Sequence, residues 1–230
     1  MSTQLFITGT DTDAGKTLVC KLLLEAAAVN GLRCLALKPI AAGGEHGVVD
    51  ALENADAVIL RRAAAAGQSY DEVNPFCFPE ALSPHIAAQR TGVRIGVEEV
   101  YRECKKTLAR KHDFAIIEGA GGWIVPINER ETMADLAKAM ALPVVLVVGM
   151  RLGCLNHALL TARAIEADGL HLVGWVANEV APGMAALNAN IDTLKSRLPC
   201  PMLAHIPYLN EPYGKQALAN VDISKFLLSS

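Results

Sequence analysis

Short apolar runs alternate along the chain with longer segments in which apolar residues recur at helical spacing. We predict strands at six of the apolar runs: residues 4–8, 33–37, 113–117, 143–148, 171–177 and 202–206. The helical spacing between them predicts helices over residues 16–30, 55–66, 97–111, 133–140, 155–167 and 184–198. Several strands are apolar at nearly every position, which is typical of strands covered on both faces. The pattern therefore predicts an α/β fold, a doubly wound, mainly parallel sheet with helices on both faces.

Residues 67–94 interrupt this alternation, because they are rich in Pro, Ser and Gly and show no clear period. We interpret them as a long excursion near a functional site rather than as a linker. The chain of 230 residues fits one domain over residues 1–230. A chain of this length buries about seven-tenths of its unfolded surface, which is enough for a stable core.

The composition of the chain limits the kinds of partner that the protein can bind and indicates its cellular compartment. The net charge is −3 without a basic block, which argues against nucleic acid, since binding to its backbone needs clustered Lys and Arg. The six cysteines form no C-x-x-C pair, as expected for reduced thiols in the cytoplasm. The apolar runs are too short to span a bilayer, and the first residues lead into a strand without a signal sequence. We therefore expect a cytoplasmic protein that binds neither membranes nor nucleic acid.

Glycine and polar residues are concentrated directly after the predicted strands. In open parallel sheets, ligands bind beyond the carboxyl ends of the strands, so these segments would meet at one edge. They read G-T-D-T-D-A-G-K-T (residues 9–17), K-P-I-A-A-G-G (38–44), E-G-A-G-G (118–122), G-M-R-L-G-C-L-N (149–156), N-E (178–179) and P-Y (207–208). A purely structural sheet would not need polar groups there, so we expect a ligand site.

Gly15, Lys16 and Thr17 open the first predicted helix behind a glycine-containing loop. The segment is a variant of the phosphate-binding pattern G-x-x-x-x-G-K-[ST], with Thr10 in place of the first glycine. The backbone N–H groups of such a loop and of the helix start form a cradle for anions. Lys16 would neutralise the β- and γ-phosphates of a nucleotide, and the Thr17 hydroxyl would bind Mg²⁺. The alternative is an ordinary turn with an exposed lysine.

Two carboxylates and a second lysine are further candidates at the same edge. Glu118 follows an apolar strand, where it would bind Mg²⁺, and Gly119 and Gly121 would let the backbone approach a ligand closely. Asp56, near a helix start, is a second candidate metal ligand, and Lys38 would stabilise charge that develops during phosphoryl transfer. The alternatives are a surface carboxylate for Glu118, a residue that stabilises the helix dipole for Asp56 and an exposed lysine for Lys38.

Two more segments offer contacts to a nucleotide and to an anion. The amide of Asn178 would read a purine edge, and Glu179 stands where the guanine-specific motif N-K-x-D has lysine, which favours ATP over GTP. The alternative for Asn178 is a turn residue. The N–H groups of residues 153–156, at a helix start, would bind the carboxylate of a substrate. The alternative is a simple N-cap, for which Asn156 is well suited.

In their order and separation, these motifs resemble the dethiobiotin synthetase family over nearly the whole chain. The matching stretches are G-T-D-T-D-A-G-K-T, L-K-P-I-A-A-G, N-P-F-C-F, S-P-H, E-G-A-G-G-W, L-V-V-G-M-R-L-G-C-L-N-H and G-W-V-A-N-E. Each stretch is modest evidence alone, whereas the ordered set is highly specific.

The resemblance implies an ATP- and Mg²⁺-dependent cyclo-ligase with the P-loop NTPase fold. The implied reaction joins CO₂ or bicarbonate to 7,8-diaminononanoate and gives dethiobiotin, ADP and phosphate. One amine captures CO₂ as a carbamate, the γ-phosphate converts the carbamate to a carbamic-phosphoric anhydride, and the second amine closes the ring. The family is a homodimer whose substrate lies at the subunit interface.

The resemblance also implies roles for individual residues. Thr12, Lys16 and Lys38 would be catalytic, and Thr17, Asp56 and Glu118 would hold Mg²⁺. The other implied ATP contacts are Asp13, Ala14, Gly15, Gly119, Gly121, Asn178, Glu179, Ile206, Pro207, Tyr208 and Glu211. The implied substrate contacts are Thr12, Lys38 and Ala42 together with Gly153, Cys154, Leu155 and Asn156 of the neighbouring subunit. The family usually reads K-P-V-x-S-G, so Ala42 replaces a serine that contacts the substrate.

Three other interpretations compete with this one. A P-loop ATPase that works as a switch often carries an additional lysine early in the loop, and residues 9–12 contain none. An amidoligase of the cobyrinate type needs a further glutaminase domain, for which the chain is too short. A nucleotide-binding relative without activity is the third, and Ala42 is the only hint of it.

Overall fold

A six-stranded parallel sheet forms the centre of the computed structural model, which describes residues 2–46, 51–210 and 221–227. In chain order, the elements are β1 (Thr3–Gly9), α1 (Lys16–Val29), β2 (Cys34–Leu37), β3 (Ile40–Ala42), β4 (Glu45–His46), β5 (Leu52–Glu53), α2 (Ala55–Ala64), α3 (Tyr70–Val73), β6 (Phe76–Phe78), α4 (Pro84–Arg90), α5 (Val97–Leu108), β7 (Phe114–Gly122), α6 (Met133–Met140), β8 (Val144–Met150), α7 (Cys154–Ala167), β9 (Leu172–Glu179), α8 (Leu187–Arg197) and β10 (Met202–Ile206). The predicted α/β class with a parallel sheet and helices on both faces is confirmed.

All six predicted strands and all six predicted helices are present, with several ends displaced. Strand β7 continues to Gly122 instead of stopping at residue 117, because it pairs with β1 from Ile7↔Glu118 to Gly9↔Gly122. Helix α2 stops at Ala64 and α8 starts at Leu187, because Ala65 and Ala186 adopt the left-handed conformation that interrupts a helix. Helix α5 ends at Leu108 rather than at residue 111.

The strand order β10-β9-β8-β1-β7-β2 places β1 at the point where the chain changes direction across the sheet. From β1 the chain runs outward to β2, returns to β7 between them, and then adds β8, β9 and β10 on the other side of β1. In open α/β sheets, ligands bind beyond the carboxyl ends of the strands at such a reversal. The loop after β1 therefore lies where a ligand site is expected.

Alternate residues of the strands face two separate hydrophobic cores. In β8, Val144, Leu146 and Val148 pack in one core and Val145 and Val147 in the other. Helices α1 and α2 cover the second core, and helices α5 to α8 cover the first. Burial on both faces explains why these strands are apolar at every position.

None of the helices in the described residues combines the length and the hydrophobicity that a bilayer-spanning segment requires.

The excursion over residues 67–94 contains α3, β6 and α4, and β6 pairs in parallel with β3. Gln68 lies at its start and is buried beside β2, the strand at one edge of the sheet. The Gln68 side chain accepts a hydrogen bond from the Ala36 N–H at 2.9 Å and donates one to the Ala36 carbonyl at 3.0 Å. The side-chain amide thus replaces the neighbouring strand that an edge strand lacks.

Replacing Gln68 with Ala should lower the free energy of unfolding by at least about 2 kcal/mol, because it leaves the buried N–H and carbonyl of Ala36 without partners. Urea-induced unfolding followed by circular dichroism would measure the change. Gln89→Ala, at an exposed position of α4, is the matched control and should change stability by less than about 0.5 kcal/mol. Equal stability of the two variants would contradict the strand-like role of Gln68.

Candidate functional site

A cavity of about 850 Å³ opens beyond the carboxyl ends of the central strands. The predicted site residues that line it are Thr12, Asp13, Gly15, Lys16, Thr17, Lys38, Ala42, Asp56, Glu118, Gly121, Asn178, Glu179 and Tyr208. Those that do not line it are Ala14, Gly119, Gly153, Cys154, Leu155, Asn156, Ile206 and Pro207. Glu211 lies outside the described residues. Residues 81–84 also line the cavity, which agrees with the interpretation of the 67–94 excursion as a segment near a site.

The glycine-rich loop, residues 9–17, turns from β1 into α1 with Gly15 in the left-handed conformation at φ 89°. A Cβ atom at residue 15 would lie 2.0 Å from Asn178 Nδ2, so the loop requires glycine both for its dihedral angle and for this close approach. Helix α1 begins at Lys16 without a side-chain cap. Residues 15–18 at this helix start line the cavity, and the free N–H groups of a helix start are suited to binding anions.

The two predicted lysines are buried, so the alternative of exposed lysines is wrong. Lys16 is 7% exposed, and its Nζ donates a hydrogen bond to the Asp11 carbonyl at 3.0 Å. Burial lowers the pKa of Lys16, and the Glu118 carboxylate offsets this only in part. Lys38 is 6% exposed.

Lys38, Glu118, Thr17 and Asp56 converge in one cluster of hydrogen bonds, although they come from four different elements or loops. Lys38 Nζ lies 2.5 Å from Glu118 Oε1 and 2.9 Å from Asp56 Oδ2. The Thr17 hydroxyl donates to Glu118 Oε1 at 2.9 Å. Glu118 is 1% exposed, so the alternative of a surface carboxylate is wrong. The structure brings these four predicted residues together.

The charges in the cluster stabilise one another. Burial acts to lower the pKa of Lys38, but the Glu118 and Asp56 carboxylates outweigh it and raise that pKa above the ordinary lysine value. For Asp56, burial acts to raise the pKa, and the Lys38 ammonium outweighs it, so the pKa falls. Lys38 therefore remains a cation and Asp56 an anion at neutral pH.

The oxygen atoms of the cluster fit a magnesium ion. Two carboxylates and a hydroxyl are hard oxygen donors, which Mg²⁺ prefers, and Glu118 Oε2 is buried without a hydrogen-bond partner among the described residues. Within residues 2–46, 51–210 and 221–227, no three His, Cys, Asp or Glu side chains group as a metal site. A metal here would therefore use the Thr17 hydroxyl and take further ligands from water or phosphate.

Asn178 and Glu179 lie at the end of β9 rather than in a turn, so the alternative of a turn residue for Asn178 is wrong. Asn178 is 3% exposed, and its Nδ2 donates to the Ala14 carbonyl of the glycine-rich loop at 3.0 Å. Its Oδ1 is buried without a partner in the described part of the chain. The Glu179 carboxylate contacts His205 Nε2 at 2.8 Å. The Asn178 amide therefore links β9 to the loop and keeps one acceptor available.

Residues 153–156 lie apart from the cavity of their own chain. Gly153 is the N-cap of α7 at φ 96°, and the helix starts at Cys154. Asn156 therefore lies inside the first turn, and the alternative that it caps the helix is wrong. Leu152, next to this helix start, is 99% exposed.

Two contributors to the site were not predicted from the sequence. Asn54 lines the cavity and caps α2, because its side chain accepts hydrogen bonds from the N–H groups of Asp56 and Ala57. Arg151, after β8, forms an ion pair with Asp11 of the glycine-rich loop at 2.5 Å. The N-A-D-A sequence at residues 54–57 is a recognisable capping signal, whereas the contact between Arg151 and Asp11 joins residues 140 positions apart and has no local signal.

The chain is similar to known proteins over nearly its whole length. A family model described as "AAA domain" matches residues 3–214. The ATP-dependent dethiobiotin synthetase BioD of Pseudomonas aeruginosa (strain LESB58) is 47% identical over 218 residues, which cover 95% of each chain. The protein of the same name from Pseudoalteromonas translucida (strain TAC 125) is 48% identical over 227 residues and 99% of each chain.

Similarity to solved structures extends to distant proteins and concerns the fold alone. The septum site-determining protein MinD from Pyrococcus horikoshii OT3, complexed with Mg-ADP, has a TM-score of 0.57 at 18% identity and matches 98% of this chain and 89% of that chain. Chloroplast FtsY from Physcomitrella patens has a TM-score of 0.55 at 17% identity, and the match covers 98% of this chain and 64% of that chain.

Replacing Lys38 with Met should destabilise the protein in the absence of ligands by about 3 kcal/mol, because Glu118 would keep a buried charge without its cation. Urea-induced unfolding would measure the loss. The double variant Lys38→Met/Glu118→Gln should recover more than half of it, and Lys105→Met, at an exposed position of α5, should have little effect. An unchanged midpoint for Lys38→Met would show that the ion pair does not contribute to stability.

Proposed function

Because the chain belongs to the family of ATP-dependent dethiobiotin synthetases, we propose that it converts 7,8-diaminononanoate, CO₂ and ATP to dethiobiotin, ADP and phosphate in biotin biosynthesis. The observation that carries the proposal is the cluster of Thr17, Lys38, Asp56 and Glu118 at the head of α1. It joins a phosphate cradle, a metal-binding set of oxygens and a buried cation in one cavity. Phosphoryl transfer needs these three components together.

The reaction forms two bonds to the carbon of CO₂. One substrate amine attacks CO₂ and loses a proton, which gives a carbamate. A carbamate oxygen attacks the γ-phosphorus of ATP and ADP leaves, which gives a carbamic-phosphoric anhydride. The second amine then attacks the carbonyl carbon, phosphate leaves with the bridging oxygen, and the five-membered ring closes.

The residues of the chain would contribute to this reaction mainly by orientation and charge. The N–H groups of residues 13–17 would bind the phosphates, and Lys16 and Lys38 would stabilise the charge on the transferring group. Thr12, which lines the same cavity as Lys38, would contact the reacting end of the substrate. Thr17, Asp56 and Glu118 would hold Mg²⁺. When bound, Mg²⁺ neutralises charge on the phosphate oxygens.

The adenine of ATP would lie at the β9 end of the cavity. The free acceptor Asn178 Oδ1 suits the amino group of adenine, and Tyr208 offers an aromatic ring at the cavity wall. We assign supporting contacts there to Glu179, Ile206 and Pro207. The side chain of Ile206 is buried in the core, so its contact would come from the backbone.

We further propose that the enzyme is a cytoplasmic homodimer of one-domain subunits that binds neither membranes nor nucleic acid. The helix start at residues 153–156 lies apart from the cavity of its own chain, and the exposed Leu152 beside it suits an interface. A second subunit would bring Gly153, Cys154, Leu155 and Asn156 to the cavity to bind the substrate carboxylate. The net charge of −3 supports a small-molecule substrate over nucleic acid.

Incubation of the protein with ATP, Mg²⁺, bicarbonate and 7,8-diaminononanoate should give dethiobiotin, identified by its mass. Lys16→Ala should reduce product formation by at least about 100-fold, because the phosphates lose a buried cation. Lys111→Ala, at an exposed position, is the control. Product formation at the wild-type rate by Lys16→Ala would remove Lys16 from the mechanism, and hydrolysis of ATP without the diamine would favour a switch ATPase.

Ala42→Ser restores the serine that is usual at this position of the family. The added hydroxyl should strengthen diamine binding by about 1 kcal/mol and lower the KM for 7,8-diaminononanoate about fivefold. Steady-state kinetics at saturating ATP would measure the change, and Ala185→Ser, at an exposed position, should leave KM unaltered. A higher KM in Ala42→Ser would mean that this chain binds its substrate without a group at that position.

A further inference from the structure

Lys38 and Asp56 form an ion pair although each is held by a different part of the chain. Lys38 follows β2, and Asp56 lies in the first turn of α2. Their side chains meet at 2.9 Å, and both line the cavity. The distance between the two side chains therefore depends on the hydrogen bonds that fix the backbone of each residue.

The backbone N–H and carbonyl of Lys38 are both bound by the C-terminal end of α3, where Val73 is the last helical residue and Asn74 follows it. Its N–H donates to the Val73 carbonyl at 2.8 Å. Its carbonyl accepts a hydrogen bond from Asn74 Nδ2 at 2.6 Å. Asn74 is only 2% exposed, so water does not compete with this contact.

The backbone before Asp56 is held through Asn54, the N-cap of α2. Asn54 Oδ1 accepts a hydrogen bond from the Asp56 N–H at 3.1 Å. The N–H of Asn54 donates to the hydroxyl of Tyr70 at 2.6 Å. The start of α2, with Asp56, is thereby fixed to Tyr70.

The Tyr70 hydroxyl connects Asn54, at the start of α2, to Asn74, which binds the Lys38 carbonyl. It accepts the hydrogen bond from Asn54 and donates one to Asn74 Oδ1 at 2.7 Å. Burial raises the pKa of Tyr70, so the hydroxyl remains a donor throughout the working pH range. A continuous path of hydrogen bonds thus runs from the Lys38 carbonyl through Asn74, Tyr70 and Asn54 to the Asp56 N–H.

We propose that Tyr70 and Asn74 are positioning residues, which hold the Lys38 ammonium and the Asp56 carboxylate at the separation that phosphoryl transfer and Mg²⁺ binding require. The inference rests on the proposed function and assigns a role within it to the 67–94 excursion. Neither side chain lines the cavity, so each acts through Lys38 and Asp56. Small displacements of such groups reduce rates strongly, because catalysis depends on their orientation.

The hydroxyl and the ring of Tyr70 have separable roles. The ring packs against the core that contains α1 and α2 and lies 5.8 Å from the guanidinium of Arg61. The substitution Tyr70→Phe keeps the ring and its packing and removes the hydroxyl, which links Asn54 to Asn74 and also contacts Cys77 Sγ at 3.5 Å. It is therefore the variant that tests positioning rather than folding.

In Tyr70→Phe, kcat for dethiobiotin formation should fall at least about tenfold, while the KM for ATP stays within about twofold because the glycine-rich loop is unaltered. The Mg²⁺ concentration for half-maximal activity should rise at least about threefold, since Asp56 is less well placed. A smaller fraction of correctly folded enzyme would lower kcat without moving this midpoint. An unmoved midpoint would therefore overturn the proposal.

Calorimetry with a non-hydrolysable ATP analogue gives a readout without turnover. Affinity without Mg²⁺ should match wild type, and the gain in affinity on adding Mg²⁺ should be at least about threefold smaller in Tyr70→Phe. An equal gain in both proteins would overturn the positioning role. If the wild-type protein makes no dethiobiotin, the proposed function fails, and this binding measurement still decides the role of Tyr70.

Tyr101→Phe is the matched control, because the Tyr101 hydroxyl on α5 makes no hydrogen bond in the described structure and lies outside the cavity. It should leave kcat and the Mg²⁺ midpoint unaltered. Asn74→Ala should shift both in the same direction as Tyr70→Phe. Because the two residues belong to one path, the double variant should lose less than the product of the two single losses, and fully multiplicative losses would overturn the shared path.

Discussion

The contact between the Lys38 ammonium and the Glu118 carboxylate is the constraint on which the site depends. Both groups are almost fully buried, and in that environment neither charge is tolerated without the other. The contact arises from the register of the sheet. Leu37 of β2 is paired with Ile117 of β7, so the residues that follow them in the chain, Lys38 and Glu118, lie at the same level of the sheet.

The same register extends the cluster to the glycine-rich loop. Strand β7 lies between β2 and β1, and Glu118 is paired with Ile7 of β1. The glycine-rich loop begins at Gly9, which is paired with Gly122 further along β7, and the first turn of α1 brings Thr17 to the Glu118 carboxylate. Three neighbouring strands thus bring a cation, an anion and the glycine-rich loop to one point, and another strand order would separate them.

Lys38 follows the edge strand β2, and residues of the 67–94 excursion supply hydrogen-bond partners to this strand and to Lys38. Edge strands expose backbone groups that must find partners, and a lysine at the end of such a strand would be free to move. Gln68 pairs with Ala36 of β2, and Val73 and Asn74 bind the backbone of Lys38. One segment therefore pairs with the edge strand and also holds the backbone of Lys38. These side-chain contacts to the backbone explain why the segment lacks a regular apolar period.

The sequence by itself determined the existence and approximate positions of the strands and helices and the glycine-rich loop, because apolar periodicity and loop chemistry are local properties of contiguous residues. It also determined which polar residues follow strands, since parallel strands place their carboxyl ends at one edge. Only the tertiary structure decided that β7 continues through Glu118, that Gly153 caps α7, and that hydrogen bonds through Tyr70 and Asn74 connect Lys38 to the start of α2. These features depend on pairing and hydrogen bonding between segments far apart in the chain, for which no local pattern exists.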